Sequence, residues 1–366
     1  MSQNICLKLL FFLAAILMIK CSGSNSPSNF MAFDKVRYVK EFPQTFSLND
    51  GTDVNLDIIG IRDFCIYDSL LILSTTDKEG LWSFVSLPDY HFLGKFLTRG
   101  QGPFEFFQTP YVNHVKFLKE NSNLYACIYH FDKGKLYKIN ITQTLKQGQL
   151  NISTLRDSLP PFIFDFVMID SAKYFCKEIN HEQTQQIRYI SDNGKKSIPP
   201  YMEKLNSACI RKGEDFNIIS TITKYNTAQD CIIEMPIGLN YINMYSIGGS
   251  FMKTICLGNK LDNIEKIQNM IPWSRIYTSA DLRLFSKFWG VVYINEDKKT
   301  YQMKRMRLPE ILLFDCNGEP LAKLKLNRFI TSFDIDFANG FLYTLDVHSD
   351  EFYKYDVKDI LKKIMK

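Results

Sequence analysis

The run Phe333-Asp334-Ile335-Asp336-Phe337-Ala338-Asn339-Gly340-Phe341-Leu342-Tyr343-Thr344-Leu345 holds two apolar, aromatic-rich segments on either side of Asn-Gly. Asn-Gly between such segments is a strong hairpin signal, because a type I′ turn needs positive φ at both central residues. A third segment, Glu351-Phe352-Tyr353-Lys354-Tyr355-Asp356, follows a short polar break. The same grammar recurs near the other end of the chain. There Arg62-Asp63-Phe64-Cys65-Ile66-Tyr67, the turn Asp68-Ser69 and Leu70-Leu71-Ile72-Leu73-Ser74 are followed by Leu81-Trp82-Ser83-Phe84-Val85 and Phe92-Leu93-Gly94-Lys95-Phe96-Leu97.

Four weaker copies lie between these two. They begin near Val112-Asn113-His114-Val115, at Phe164-Asp165-Phe166-Val167, at Ile218 and at Leu282. Marking the recurrent first strand gives positions near 63, 114, 165, 223, 281 and 334, with spacings of 51, 51, 58, 58 and 53. A pitch of about 50 residues with four strands per unit is the arithmetic of a β-propeller. A small sheet cannot bury both faces alone, so neighbouring blades stack around a channel. A β-sandwich gives no reason for so steady a pitch. The expected fold is therefore all-β, a six-bladed propeller of four-stranded antiparallel blades near 56–107, 108–160, 161–215, 216–275, 276–328 and 329–360. Residues 33–49, including Val36-Arg37-Tyr38-Val39, are expected to close the ring by lending a strand to the last blade and covering its edge. Short helices are expected at 260–270 and 357–365.

Composition agrees with a folded, strand-rich chain. Of 366 residues, 46% are hydrophobic, 23% charged and 14% aromatic, which excludes disorder and a collagen-like fibre and favours strands. A net charge of +5, evenly spread, is too mild for a nucleic-acid binder.

The N-terminus reads as an export signal. Lys8 supplies a positive start, and Leu9 to Ile19 carries no charge. A bilayer-spanning helix needs roughly 20 apolar residues, so residues 1–20 are read as a signal peptide. Lys20-Cys21 and the polar run Ser22-Gly23-Ser24-Asn25-Ser26-Pro27-Ser28 resemble a bacterial lipoprotein signal, in which the cysteine becomes the diacylated first residue. Leu17-Met18-Ile19-Lys20 departs from the small residues usual before that cysteine. An uncleaved signal anchor, or ordinary cleavage a few residues later, is the alternative. The resemblance implies lipidation at Cys21 and a tether over 21–32, and the repeat leaves one propeller domain over 33–366. Of nine cysteines, Cys65, Cys127, Cys176, Cys209, Cys231, Cys256 and Cys316 remain after Cys6 and Cys21. None forms a metal-type spacing, and most sit in strand-like runs, where free thiols behave as small hydrophobes.

The sharpest local motif is Arg99-Gly100-Gln101-Gly102-Pro103-Phe104-Glu105-Phe106. This R-G-x-G-P-x-E-F pattern resembles six-bladed, TolB-like propeller lipoproteins of Gram-negative gut bacteria, and also the junction between NHL-type repeats. The resemblance implies a propeller at the cell envelope, as an outer-membrane lipoprotein. Physically, Gly100 and Gly102 permit unusual backbone angles and Pro103 stiffens the exit. The motif is expected to be a structural crossover between blades, with Arg99 pairing Glu105. It lacks the third glycine of a dinucleotide loop and the lysine of a P-loop.

Other chemistry is thinly supported. His91, His114, His130, His181 and His348 are scattered, and His181-Glu182-Gln183-Thr184-Gln185 lacks the second histidine of a zinc protease. Asp53-Val54-Asn55-Leu56-Asp57 lacks the glycine and closing glutamate of a calcium loop. Asp63, Asp165 and Asp334 recur at matching blade positions, where turn or cap chemistry competes with an acidic ring at the channel mouth. The basic run from Lys298 to Arg307 is expected to be a solvated hairpin tip, with contact to an acidic partner or anionic headgroup as the alternative. The function expected is binding of a protein, carbohydrate or small molecule by a monomer, without a cofactor. The alternative is a propeller hydrolase or lyase with a metal, calcium foremost, at the channel. Convergent acids and histidines with shifted pKa values would favour the enzyme, and aromatics and amides at the mouth would favour binding.

Overall fold

The computed structural model describes residues 27–365. Cys21 and the signal segment lie outside them. Six sheets are arranged as a propeller. Blade one comprises Ile61–Tyr67, Leu70–Thr75, Trp82–Ser86 and Phe92–Phe96. Blade two comprises Lys116–Glu120, Asn123–His130, Lys135–Asn140 and Ile152–Arg156. Blade three comprises Asp165–Met168, Lys173–Asn180, Gln185–Asp192 and Lys195–Ser197. Blade four comprises Thr221–Asn226, Cys231–Pro236, Tyr241–Ser246 and Met252–Leu257. Blade five comprises Ile276–Leu284, Phe288–Asp297, Glu310–Asp315 and Pro320–Leu326. Blade six comprises Ser332–Asp336, Phe341–Asp346, Glu351–Asp356 and the short N-terminal strand Thr52–Asp53. First strands line the channel, and that of blade six packs against that of blade one.

The period-2 alternation of each strand explains why the ring closes. Leu71 and Leu73 join a core with Tyr343 and Leu345 of blade six, while Ile72 between them packs toward Ala126 and Ile128 of blade two. The same division holds around the ring, and each of the six apolar cores lies between two neighbouring blades. Between blades three and four the core also carries charge. Arg188 donates from Nε to both oxygens of Glu234, at 2.9 and 2.8 Å, and Tyr245 donates to Glu234 at 2.8 Å. Burial alone would raise the Glu234 pKa; the Arg188 and Lys177 charges outweigh it and hold the carboxyl below its usual range.

Residues 33–49 do not complete the last blade. Val36–Val39 adds a fifth, parallel strand to the outer edge of blade four, and Thr45–Leu48 does the same for blade five. Only then does Thr52–Asp53 pair with Tyr353 and Lys354 of blade six. The N-terminal segment is thus a strap over three successive outer edges. The 333–345 hairpin also differs from a two-residue I′ turn: Asp336 pairs with Phe341, and only Gly340, at φ 71°, is left-handed there. Helices occur at Ile264–Gln268 and Lys358–Ile364 as expected, and at Lys298–Met303, where a plain hairpin tip was expected. The seven described cysteines are free, and five of them are buried.

Candidate functional site

The channel is closed midway by charge. Asp63, Asp281 and Asp334 stand on the first strands of blades one, five and six, and all are buried. Arg283 joins them, from Nη2 to Asp63 at 3.0 Å, from Nε to Asp281 at 2.7 Å and from Nη1 to Asp334 at 3.7 Å. Each carboxylate also accepts a backbone N–H from the next blade: Asp334 from Ile66, Asp63 from Asn113 and Asp281 from Phe333. Asn113 ties the far side of the plug, donating from Nδ2 to Asp281 at 2.6 Å and accepting from Lys224 at 2.5 Å. Asp165, the third acid expected at the ring, lies apart with Lys177 at 3.2 Å, and Lys177 also donates to Thr221 and Thr223 of blade four.

Burial sets the electrostatics. It raises the Asp63 and Asp165 carboxyls despite their cationic neighbours, and pushes Asp334 up to about 6. Burial would lower Arg283, and the three aspartates more than compensate, so its charge is secure. Lys224 is pushed down to about 8 by burial and the nearby Arg283 charge. Every oxygen of Asp63, Asp281 and Asp334 has a donor. Among the described residues Lys224 has no carboxylate within ion-pair distance, and Asn113 accepts one of the three hydrogens an ammonium can donate.

A cavity lies on each side of the plug. At the downstream end, where first strands finish, about 390 Å³ is walled by Phe117, Phe285, Phe337, Ile66 and Ile335 and floored by Lys224, Arg283 and Asp334. At the upstream end, about 420 Å³ is lined by Arg62, Tyr111, His114, Tyr277, Gln302 and His348. Two of the five scattered histidines thus meet at one mouth. His130 instead stacks on Phe106, and His181 lies edge-on to Phe216. Among the described residues no group of three or more His, Cys, Asp or Glu is placed to hold a metal.

The Arg99–Phe106 segment lies between blades one and two, away from the channel. Gly100 and Gly102 are not left-handed, so the unusual backbone angles expected of them do not occur. They are small because the Glu105 side chain folds over them. A Cβ on Gly100 would lie 2.0 Å from Glu105 Oε2, and one on Gly102 would lie 2.9 Å from Glu105 Cδ. Glu105 accepts from the Gly102 N–H at 2.7 Å rather than pairing with Arg99, whose backbone bridges to Phe106. Blade two grips the segment: Tyr137 donates to the Pro103 carbonyl at 2.6 Å, and Lys133 to the carbonyls of Gly102 and Glu105.

Asp281, Arg283, Lys224 and Asn113 are the channel residues that sequence reasoning passes over. Position 281 and the neighbour of 223 carried the recurrent mark. Yet Asp281-Leu282-Arg283-Leu284 has the alternation of an ordinary half-solvated strand, which hides that its polar face is buried.

No protein-family model matches the chain, and no curated protein matches it in sequence. Solved structures similar to it include a protein described as exported from Bacteroides fragilis, at 11% identity and TM-score 0.49, covering 85% of this chain and 99% of that one. A DUF4221-family member from Bacteroides vulgatus is similar at 12% identity and TM-score 0.49, covering 89% and 96%. At these values the likeness says nothing of ligand or activity.

Proposed function

We propose that this chain is an exported, lipid-anchored envelope propeller that binds a small molecule with an apolar body and a hydrogen-bond-accepting head in the downstream cavity. Export and anchoring rest on the signal-like run before Cys21. One observation carries the ligand class: Lys224, the one charged group of the plug without an ion-pair partner among the described residues, floors a cavity walled by phenylalanines. Apolar walls with a few converging polar groups are the usual form of a small-molecule site. The other charges satisfy one another, so they hold Lys224 in place without competing for the ligand.

Calorimetric titration of decanoate into the Cys21→Ala chain, which carries no acyl anchor to compete, tests this. Saturable binding is expected, and Lys224→Met should weaken it by about tenfold or more, since a hydrogen bond to a charged group contributes roughly 1.5–3 kcal/mol. Absence of binding, or equal affinity in Lys224→Met, overturns the reading. Asp334 near 6 and Lys224 near 8 at one cavity floor favour a second reading, acid–base hydrolysis or lysis. Turnover of p-nitrophenyl esters above the buffer rate, lost in Lys224→Met, is its test.

A further inference from the structure

We infer that the upstream loops of blades four and five form a membrane-docking face, which sets the propeller with its downstream cavity pointing away from the lipid; this rests on the anchor at Cys21. Two segments meet there. The loop before blade five presents Ile271 and Trp273, 72% and 52% exposed, and the Lys298–Met303 helix presents Met303, 70% exposed. The three share one shallow depression, with Lys299 at its edge. Large apolar side chains grouped at this exposure mark an interaction surface.

Charge and chain length choose the occupant. From 298 to 307 the sequence has five cations and no acid. Arg305 is spent on Asp346, leaving Lys299, Lys304 and Arg307 exposed beside the apolar tips. Asp297 is occupied capping the helix, accepting from Thr300 N–H at 3.0 Å. Trp and apolar tips rimmed by lysine and arginine suit an anionic bilayer surface. The described chain also enters the fold at this place. Asn29 accepts from Ile264 N–H and donates to Glu265, on the short helix that runs into Met270 and Ile271. Six residues lie between Cys21 and Ser28, a reach of about 25 Å at most over the seven steps, so an acylated Cys21 holds this face close to the headgroups.

Trp273 is its own reporter, because the other two tryptophans, Trp82 and Trp289, are 1% and 2% exposed. The full chain is incorporated into phosphatidylethanolamine vesicles containing roughly a quarter phosphatidylglycerol, with bromine-labelled acyl chains. Quenching and a blue shift of tryptophan emission are expected, absent in Trp273→Phe and weakened in vesicles of phosphatidylcholine alone. Protein that floats with the vesicles but shows no quenching overturns the docking face and leaves the anchor standing. Quenching that survives Cys21→Ala supports the face and shows that it docks without help from the anchor. Protein that neither floats nor quenches overturns both. Quenching equal in Trp273→Phe, or loss of quenching in favour of a bound protein partner at Met303, assigns the patch to something other than lipid and overturns the proposal.

Discussion

Lys224 illustrates how a single side chain separates stability from binding. Its pKa, lowered to about 8, means that the folded state disfavours its charge. A depressed base contributes stability only above its unfolded pKa and loses it as pH falls through about 8. At neutral pH Lys224 is therefore a burden, and Lys224→Met should raise the melting temperature by about 2 °C while lowering ligand affinity. Scanning calorimetry on the same protein used for titration checks both, and a melting temperature that falls would mark Lys224 as structural. Asp334 has the opposite chemistry with a matching sign. Raised to about 6, it favours the folded state fully below its unfolded pKa, and that contribution is lost as pH rises through 6. The melting temperature of the wild type relative to Asp334→Asn should accordingly decline between about pH 4 and pH 7. A difference that is flat over that range would show that the Ile66 and Ile335 amides, not burial, set this carboxyl.

The crossover after blade one shows how an element is held by fit rather than by backbone strain. Gly100→Ala puts a methyl into the Glu105 carboxylate, and overpacking of this kind costs about 1–3 kcal/mol. Glu105→Ala removes the obstacle and also the hydrogen bond to Gly102. The double variant should thus be more stable than the sum of the two losses predicts, by about 1 kcal/mol or more. Arg99→Ala, on an exposed side chain outside any ion pair with Glu105, should stay within about 0.5 kcal/mol. Urea denaturation of the four proteins decides it; strict additivity would mean that the glycines serve something other than the Glu105 side chain. The Lys298–Met303 helix offers a second case at this scale. Its basic, charge-dense run reads as a surface turn, and the Asp297 cap converts it into a helix only because strand pairing places Asp297 at the end of blade five's second strand.

Across the whole molecule, Arg283 acts as the closure, because it binds blades five, six and one at once. Removing it leaves three buried aspartates without their counter-charge, and breaking a buried pair in this way costs about 3–5 kcal/mol. Arg283→Met should therefore lower the melting temperature where Lys224→Met raises it, though both delete one cation from the same plug. If Arg283→Met melts like the wild type, the ring is held by its apolar cores alone. The N-terminal strap works from the outside. It covers the outer edges of blades four and five and supplies the outer strand of blade six. Deleting residues 27–58 should expose three strand edges and yield aggregates by size-exclusion chromatography, since unpaired edges invite pairing between molecules.

Blade number, pitch and strand count were legible from the pattern alone, because the signals are local: turn residues at Asn339-Gly340 and Asp68-Ser69, and apolar alternation repeated at a steady spacing. The positions 63, 281 and 334 marked from that repeat are the three acids of the channel plug. What the plug does with them was not legible. Whether Asp281 and Arg283 face solvent or one another depends on which blades meet across the channel, and that pairing joins residues 220 apart. The strap's partners are hidden from the sequence for the same reason. Val36–Val39 and Thr45–Leu48 are strands by local pattern, but their partners are chosen by which outer edges the closed ring leaves open. Lys224 carries no signal in sequence beyond a lysine in a strand. Only the tertiary structure, by satisfying every neighbouring carboxylate and walling the space with phenylalanines from three different blades, leaves its ammonium unspent beside a cavity.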